Sequence, residues 1–358
     1  MRKPNRLLPV SLLGVGTAVP LGIIEQGAVA EVAREMFAHR YPDYERIAPV
    51  FRSSGIKKRH AVKPIDWYRT QRSWPERTAA YLEGAVDLFE EAARKALAHA
   101  AISTSEIDAI VTVSSTGIAT PSLEVRSFGR LGFKNQTRRI PVFGLGCAGG
   151  VSGLAIAADI ARGRPGRNVL MVAVELCSLA FRLDELTKAN IVATALFGDG
   201  AGACVLRADT VAPRGSTVIA YTAEHAWPDT LDLMGWNVDP DGFGVIFARS
   251  IPPFARNNMG PAVAAMLGQA DIEIGDIGRF ICHPGGARVV DALERALSLD
   301  AGTLDHERNV LADFGNMSAP TVLFVLERAL SAGLPERAAM LAMGPGFTAS
   351  CAVLERAA

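Results

Sequence analysis

Two stretches of this chain share a pattern that restricts its fold more than any other feature. In the first, the apolar run VLMVAVE at 169–175 is followed by Gly198-Asp199-Gly200 and a second apolar run, AGACVL, at 201–206. In the second, AAMLAM at 338–343 is followed by Gly344-Pro345-Gly346 and TASCAVL at 348–354. Short apolar runs bounded by glycine turns read as buried strands. Two facing copies of one α/β unit would produce such a recurrence, although chance repetition within an α/β protein would also do so.

The rest of the chain alternates in the same way. Strand-like runs are expected at 10–15, 107–113, 141–145, 168–174, 217–222 and 280–282, and helical spacing at 24–40, 76–100, 123–131, 148–162, 253–268 and 287–297. Residues 316–330 begin as a loop and become helical, and Phe197-Gly198-Asp199-Gly200 reads as a tight turn. Pro75 suits the first turn of the long helix at 76–100. This alternation predicts sheets covered by helices. With 358 residues the chain exceeds one small core. The polar, turn-rich segment 207–216 divides it into expected halves at 1–207 and 208–358.

Charge excludes one class of partner. Lys plus Arg and Asp plus Glu number 37 each, so no net positive field argues for nucleic acid. A local run, Lys57-Lys58-Arg59, could meet an anionic ligand or simply be a solvated surface. Arg2, Lys3 and Arg6 before an apolar run resemble a secretory leader, but Pro9, Gly14, Gly16 and Pro20 interrupt that run, and a first strand is the better reading. No stretch reaches the roughly twenty apolar residues of a spanning helix, so no stable membrane insertion is expected. The five cysteines form no CxxC pair, and no histidine has metal-ligand spacing with its neighbours, so no metal is expected. Reduced thiols fit a cytoplasmic protein.

Three residues stand where chemistry is possible. Cys147 lies in Gly-Leu-Gly-Cys-Ala-Gly-Gly (144–150), between a strand and a helix of small residues. A helix N-terminus would stabilise a thiolate and lower its pKa, although a buried structural thiol is the commoner fate of a cysteine. His283 ends an apolar strand and enters Pro284-Gly285-Gly286. It could transfer a proton or hold a developing enolate, or be a hydrogen-bonded structural histidine. Asn316 lies in Phe314-Gly-Asn-Met-Ser318 before a helix, where an N-cap is the structural reading. Together a Cys/His/Asn set can perform acyl transfer while stabilising oxyanion or enolate charge.

Over nearly its full length the chain resembles the type III polyketide synthases of the chalcone and stilbene synthase superfamily. The resemblance rests on GCAGG at 146–150, ALFGDGAGA at 195–203, HPGG at 283–286, GNMS at 315–318 and GPGFT at 344–348. It implies a duplicated thiolase fold with five α/β/α/β/α layers and a homodimer. It implies that Cys147 carries the acyl group, while His283 and Asn316 decarboxylate malonyl units and hold the thioester carbonyl. Acyl-CoA and malonyl-CoA are the implied substrates, with no further cofactor. Phe197 matches a gatekeeper between coenzyme A tunnel and cavity, and Ser115 and Ser318 match cavity-lining positions. Thr120 matches a position that reaches into the neighbouring subunit. Lys57, with Arg52 nearby and Gly285 and Gly286, matches the coenzyme A contacts.

Three departures from plant chalcone synthases concern the cavity. Val245 replaces a second gatekeeper phenylalanine and Ala180 a threonine, so both remove volume; Trp236 replaces a glycine and adds it locally. A larger apolar cavity for an aliphatic starter is therefore expected beside Ala180 and Val245, with an alkylpyrone or alkylresorcinol-type product. Ketoacyl-carrier-protein synthase III and hydroxymethylglutaryl-CoA synthase would share fold and nucleophile, but ketoacyl synthase III has an N-A-N-type asparagine motif in place of GNMS. A non-catalytic partner protein of the same fold is the alternative from another class.

Overall fold

The computed structural model describes residues 8–357, so Arg2, Lys3 and Arg6 of the leader reading lie outside the described residues. The first half contains β1 (Val10–Ala18), β2 (Ile23–Glu25), α1 (Gln26–Phe37), the short α2 (Tyr44–Ile47) and α3 (Val50–Ser53), β3 (Lys58–His60), α4 (Trp74–Ala100), β4 (Ile107–Val113) and α5 (Leu123–Leu131). It continues with β5 (Arg138–Val142), α6 (Gly149–Arg162), β6 (Asn168–Leu176), α7 (Lys188–Leu196) and β7 (Asp199–Ala208). The second half contains β8 (Thr217–Ala226), the hairpin β9 (Met234–Asp239) and β10 (Gly242–Phe247), α8 (Ile251–Gly268), β11 (Arg279–Cys282), α9 (Ala287–Ala296), α10 (Asp305–Phe314), α11 (Thr321–Ala332), β12 (Arg337–Gly344) and β13 (Thr348–Arg356).

The recurrence seen in the sequence is a true duplication of topology. In the first half β1 pairs antiparallel with β7, β7 antiparallel with β6, and β6 parallel with β4. In the second half β8, β13, β12 and β11 repeat the same order of senses. The halves join where β1 meets β8, at Val10 opposite Ile219 and Ser11 opposite Val218, giving one nine-stranded order β11-β12-β13-β8-β1-β7-β6-β4-β5. The glycine motifs differ in place. Gly344-Pro345-Gly346 turns between β12 and β13. Gly198-Asp199-Gly200, by contrast, is not a turn: β7 begins at Asp199, whose buried carboxylate accepts hydrogen bonds from the Val62 and Ser178 backbone. A buried, satisfied aspartate has no need of a surface turn.

Five layers follow. α4 and α5 cover the outer face of the first sheet, and α8 and α9 that of the second. Between the sheets lie α6 and α11, in one apolar cluster with Val111, Met171, Ile281 and Met340. The long α4 starts with a capping box, in which the Ser73 hydroxyl accepts from Glu76 N and the Glu76 carboxylate from Ser73 N. Some expected boundaries move: β5 lies at Arg138–Val142 instead of 141–145, β1 runs on to Ala18 and β8 to Ala226, and residues 23–25 form β2 ahead of α1. Among the described residues no helix is long and apolar enough to cross a membrane.

The middle layer explains the paired glycines after Cys147. A Cβ on Gly150 would lie 2.3 Å from the Ala319 carbonyl oxygen and 2.5 Å from Val322 Cγ1, so α6 approaches the start of α11 as closely as a glycine allows. Gly150→Ala is therefore expected to cost about 2 kcal/mol through overpacking. Chemical denaturation would show it, with activity falling as Cys147 and the Asn316 segment are pushed apart.

Candidate active site

Cys147 sits in a single helical turn, Gly146–Ala148, that leads into the N-terminus of α6. The turn is pinned by Ser115, whose hydroxyl accepts from Gly144 N at 3.2 Å and Gly146 N at 3.3 Å. Ser115 is held in turn by Glu175, whose carboxylate accepts from Ser115 N and Thr116 N at 2.9 Å and from the Thr116 hydroxyl at 2.7 Å. Glu175 is wholly buried; desolvation pushes its carboxyl up to about 7 against these donors. The sequence offered no sign of this role, because Glu175 ends an apolar run in which one acid reads as an outlier.

His283 follows β11, its backbone N donating to Leu341 O at 2.8 Å. The imidazole is only 3% exposed, and neither ring nitrogen has a hydrogen-bond partner among the described residues. A buried ring in that state is costly unless a ligand completes it, which argues against the structural-histidine reading. Asn316 is not an N-cap either, since α11 starts at Thr321 with Pro320 in the capping position. Its Oδ1 accepts from Ser318 N at 2.8 Å, and its Nδ2 donates to Gly285 O at 3.1 Å, tying it to the loop after His283. Ser318 lines the same cavity as Cys147, and the polar side chains of Ser318 and Asn316 both favour its thiolate. Cys147 of the first half and Asn316 of the second thus come together, and Gly285 O ties Asn316 to the loop that follows His283.

The protonation states differ from expectation. Burial pushes the Cys147 thiol up to about 11, outweighing the hydrogen bonds from Ser318 and Asn316 that lower it, so a thiolate stabilised by the helix N-terminus is not the resting form. Burial also lowers His283 to about 4, leaving a neutral imidazole with one N–H to donate.

A catalytic cavity of about 50 Å³ opens beside Cys147, lined by Ser115, Phe197, Trp236, Val245 and Ser318 as expected, and also by Thr116, Cys177 and Phe247. Ala180 does not line it. Ala180 packs in a cluster with Ala193 and Val245, against which Phe197 and Trp236 also pack, and its other side faces a separate recess of about 20 Å³. Trp236 has used the freed volume: its indole stacks on Phe243 with centroids 5.7 Å apart and donates to Ser115 O at 2.7 Å. The enlarged cavity expected beside Ala180 is therefore closed. The apolar space lies instead behind Cys177 and Phe197, where a chamber of about 70 Å³ is lined by Val29, Val32, Ala33, Met36, Ile65 and Phe181. Cys177 and Phe197 line both spaces.

On the outer side a groove of about 680 Å³ reaches Leu196 and Phe247 and includes Gly285 and Gly286. Four cations line it: Arg46, Lys188, Arg249 and Arg288. Burial, and then the three guanidiniums, lower the Lys188 ammonium from its usual value. Among the described residues Lys188, Arg249 and Arg288 form no ion pair, and Arg46 has only the exposed Asp43 at 3.5 Å. Lys57 and Arg52 are exposed and do not line this groove. Their neighbour Arg59 is buried, so the basic run is not uniformly solvated. Thr120 lies exposed at the surface, outside the chain's own cavity. Among the described residues no cluster of three or more His, Cys, Asp or Glu could hold a metal.

Comparison with known proteins agrees with this geometry. Residues 7–210 match the family model of the N-terminal domain of chalcone and stilbene synthases, and residues 218–357 that of the C-terminal domain. The chain is 37% identical to the 1,3,6,8-tetrahydroxynaphthalene synthase of Streptomyces peucetius subsp. caesius, covering 96% of this chain and 92% of that protein. It is 30% identical to the alpha-pyrone synthesis polyketide synthase-like Pks18 of Mycobacterium tuberculosis (strain ATCC 25618 / H37Rv), covering 94% and 88%. The crystal structure of 1,3,6,8-tetrahydroxynaphthalene synthase from Streptomyces coelicolor A3(2), a bacterial type III polyketide synthase, superposes with a TM-score of 0.91 at 28% identity, over 97% of this chain and 99% of that one. The chain belongs to the chalcone and stilbene synthase family and is a type III polyketide synthase, an acyltransferase of the thiolase fold.

Proposed function

We propose that this synthase loads an aliphatic acyl group from its coenzyme A thioester onto Cys147, extends it with malonyl-CoA, and releases an alkylpyrone or alkylresorcinol-type product. The apolar chamber behind Cys177 and Phe197 carries this reading, because it offers an alkyl tail more room than the catalytic cavity itself. The neutral imidazole of His283 takes the Cys147 proton as sulfur attacks the starter carbonyl. The thiolate and imidazolium form together, since the burial that disfavours each charge alone strengthens their attraction. Coenzyme A leaves as its thiol, carrying that proton. Malonyl-CoA then loses carbon dioxide, and its enolate oxygen takes hydrogen bonds from the His283 N–H and the Asn316 amide. The enolate carbon attacks the acyl carbonyl on Cys147, the C–S bond breaks to release Cys147 as a thiolate that takes a proton from solvent, and the lengthened thioester leaves on coenzyme A to reload or cyclise.

The four-cation groove suits the phosphates of coenzyme A, with the pantetheine arm passing Gly285 and Gly286. The expected homodimer is supported by the uncovered edge strand β5. Phe143, directly after β5, is 55% exposed, and Ile118, two residues before Thr120, is 53% exposed, apolar side chains suited to burial against a second copy.

Three outcomes test the reading. Cys147→Ala should abolish acyl loading, measured by intact-protein mass, yet still release carbon dioxide from malonyl-CoA; continued product formation by that variant would refute the mechanism. Val32→Trp should fill the chamber, lowering kcat/KM for long acyl-CoA starters about tenfold, the worth of roughly two buried methylenes, with acetyl-CoA unaffected. Refusal of long starters by the wild type would overturn the aliphatic reading. Reversing two groove charges, Arg249→Glu with Arg288→Glu, should raise KM for coenzyme A thioesters about tenfold at low salt and less at high salt. N-acetylcysteamine thioesters, which lack the phosphates, should show no such change.

A further inference from the structure

We propose that Arg59 is a positioning residue that sets the gatekeeper Phe197 and the amide of Asn316 in one register, so that chamber entry and malonyl decarboxylation depend on a group that takes no part in the chemistry. It rests on the roles given above to Phe197 and Asn316.

Arg59 is the middle residue of β3, opposite Ile24 of β2. Strand alternation sends it inward, where it is 3% exposed, while Lys58 and His60 stay half-buried. Its guanidinium meets the C-terminal end of α7. Nη1 donates to Thr194 O and Phe197 O, each at 2.8 Å, and Nη2 to Ala195 O at 2.8 Å. Nη2 also donates to the Gln26 carboxamide oxygen. Gln26 in turn donates through Nε2 to Ala195 O, Phe51 O and the Ser54 hydroxyl.

The carbonyls at a helix end lack intrahelical partners and must find others. At α7 the accounting closes on two residues. Arg59 takes the carbonyls of Thr194, Ala195 and Phe197, and the remaining one, Leu196 O, accepts from Asn316 N at 2.8 Å. Gly198 N completes the link by donating to Asn316 O at 3.0 Å, and Phe197 and Asn316 form an isolated parallel bridge. The stem of Arg59 runs beneath the same junction. A Cβ on Gly198 would lie 3.3 Å from Arg59 Cβ, and one on Gly315 3.5 Å from it. The glycines beside Phe197 and Asn316 are therefore where the arginine stem passes. Burial lowers Arg59 to about 10, still charged at neutral pH, and Asp199 opposes that lowering. A cation at a helix C-terminus is also favoured by the helix dipole.

A lysine has one ammonium where Arg59 has a fork, so it cannot serve three carbonyls and Gln26 together. Arg59→Lys and Gln26→Leu, each in the full chain, would be compared with wild type by thermal melting, acyl loading of Cys147, malonyl-CoA decarboxylation and product chain length. The expected result for Arg59→Lys is acyl loading within about threefold of wild type, decarboxylation kcat lowered about tenfold or more with KM for malonyl-CoA little changed, and an altered product-length distribution. Gln26→Leu should show the same pattern more weakly, and carries the test if Arg59→Lys does not fold. Folded variants with a lower melting temperature but unchanged decarboxylation kcat and product lengths would overturn the proposal, leaving Arg59 a purely structural residue. If the wild type itself released no carbon dioxide from malonyl-CoA, the functional reading would fail, and this proposal with it.

Discussion

The site depends on how closely α6 packs against the segment leading into α11. Cys147 belongs to the first half of the duplication; His283 and Asn316 belong to the second. Among the described residues the two sheets pair edge to edge at two positions, too few for strand pairing alone to hold the halves in register. Register comes from the shared apolar layer between the sheets, where Val151, Leu154 and Ala158 of α6 and Val322, Leu323 and Leu326 of α11 lie in one buried cluster. Close packing there is sensitive to a single methyl group. Small residues at the start of α6 are thus what lets Cys147 lie so close to the segment before α11.

Burial then decides the electrostatics. The same packing removes Cys147, His283 and Asn316 from water, and so drives both thiol and imidazole towards their neutral forms. Such a site does not hold a standing thiolate exposed to stray electrophiles. It holds a proton on sulfur and an unpartnered imidazole nearby, and charge separates when a thioester carbonyl is there to receive the sulfur. The same neutral imidazole suits the second half-reaction as proposed, where it would donate a hydrogen bond to the enolate oxygen.

Much of this was legible in the sequence because it is local. The order of strands and helices follows from apolar periodicity, and the recurrence of strand, glycine and strand reported a real duplication. Cys147, His283 and Asn316 sit in glycine-rich motifs whose composition signals close backbone approach. What was not legible is relational. Arg59 faces inward because β3 has three residues and alternates, a pattern too short to register as periodicity. The four groove cations come from α2, α7, α9 and the residues before α8, and nothing in their spacing unites them. Glu175 looked like an interruption of an apolar strand until the loop at Ser115 and Thr116 was seen to close over it.

The cavity shows why counting side-chain volumes along a sequence misplaces space. Ala180 and Val245 do remove bulk, and on that ground alone the site should widen beside them. In three dimensions Trp236 lies against both, fixed by its indole N–H to Ser115 O and by stacking on Phe243. Lost volume in a close-packed interior is reoccupied wherever a neighbour can repack. On the opposite wall Cys177 and Phe197 back onto a chamber built by residues of α1 and the following loops, segments with no motif of their own. Between the two spaces stands Phe197, which lines both and whose carbonyl Arg59 holds. On the proposed mechanism, starter selection is tied to the same helix end, α7, that holds the Asn316 amide, and a change that widens the gate would disturb the chemistry unless the carbonyls of that helix end stay capped.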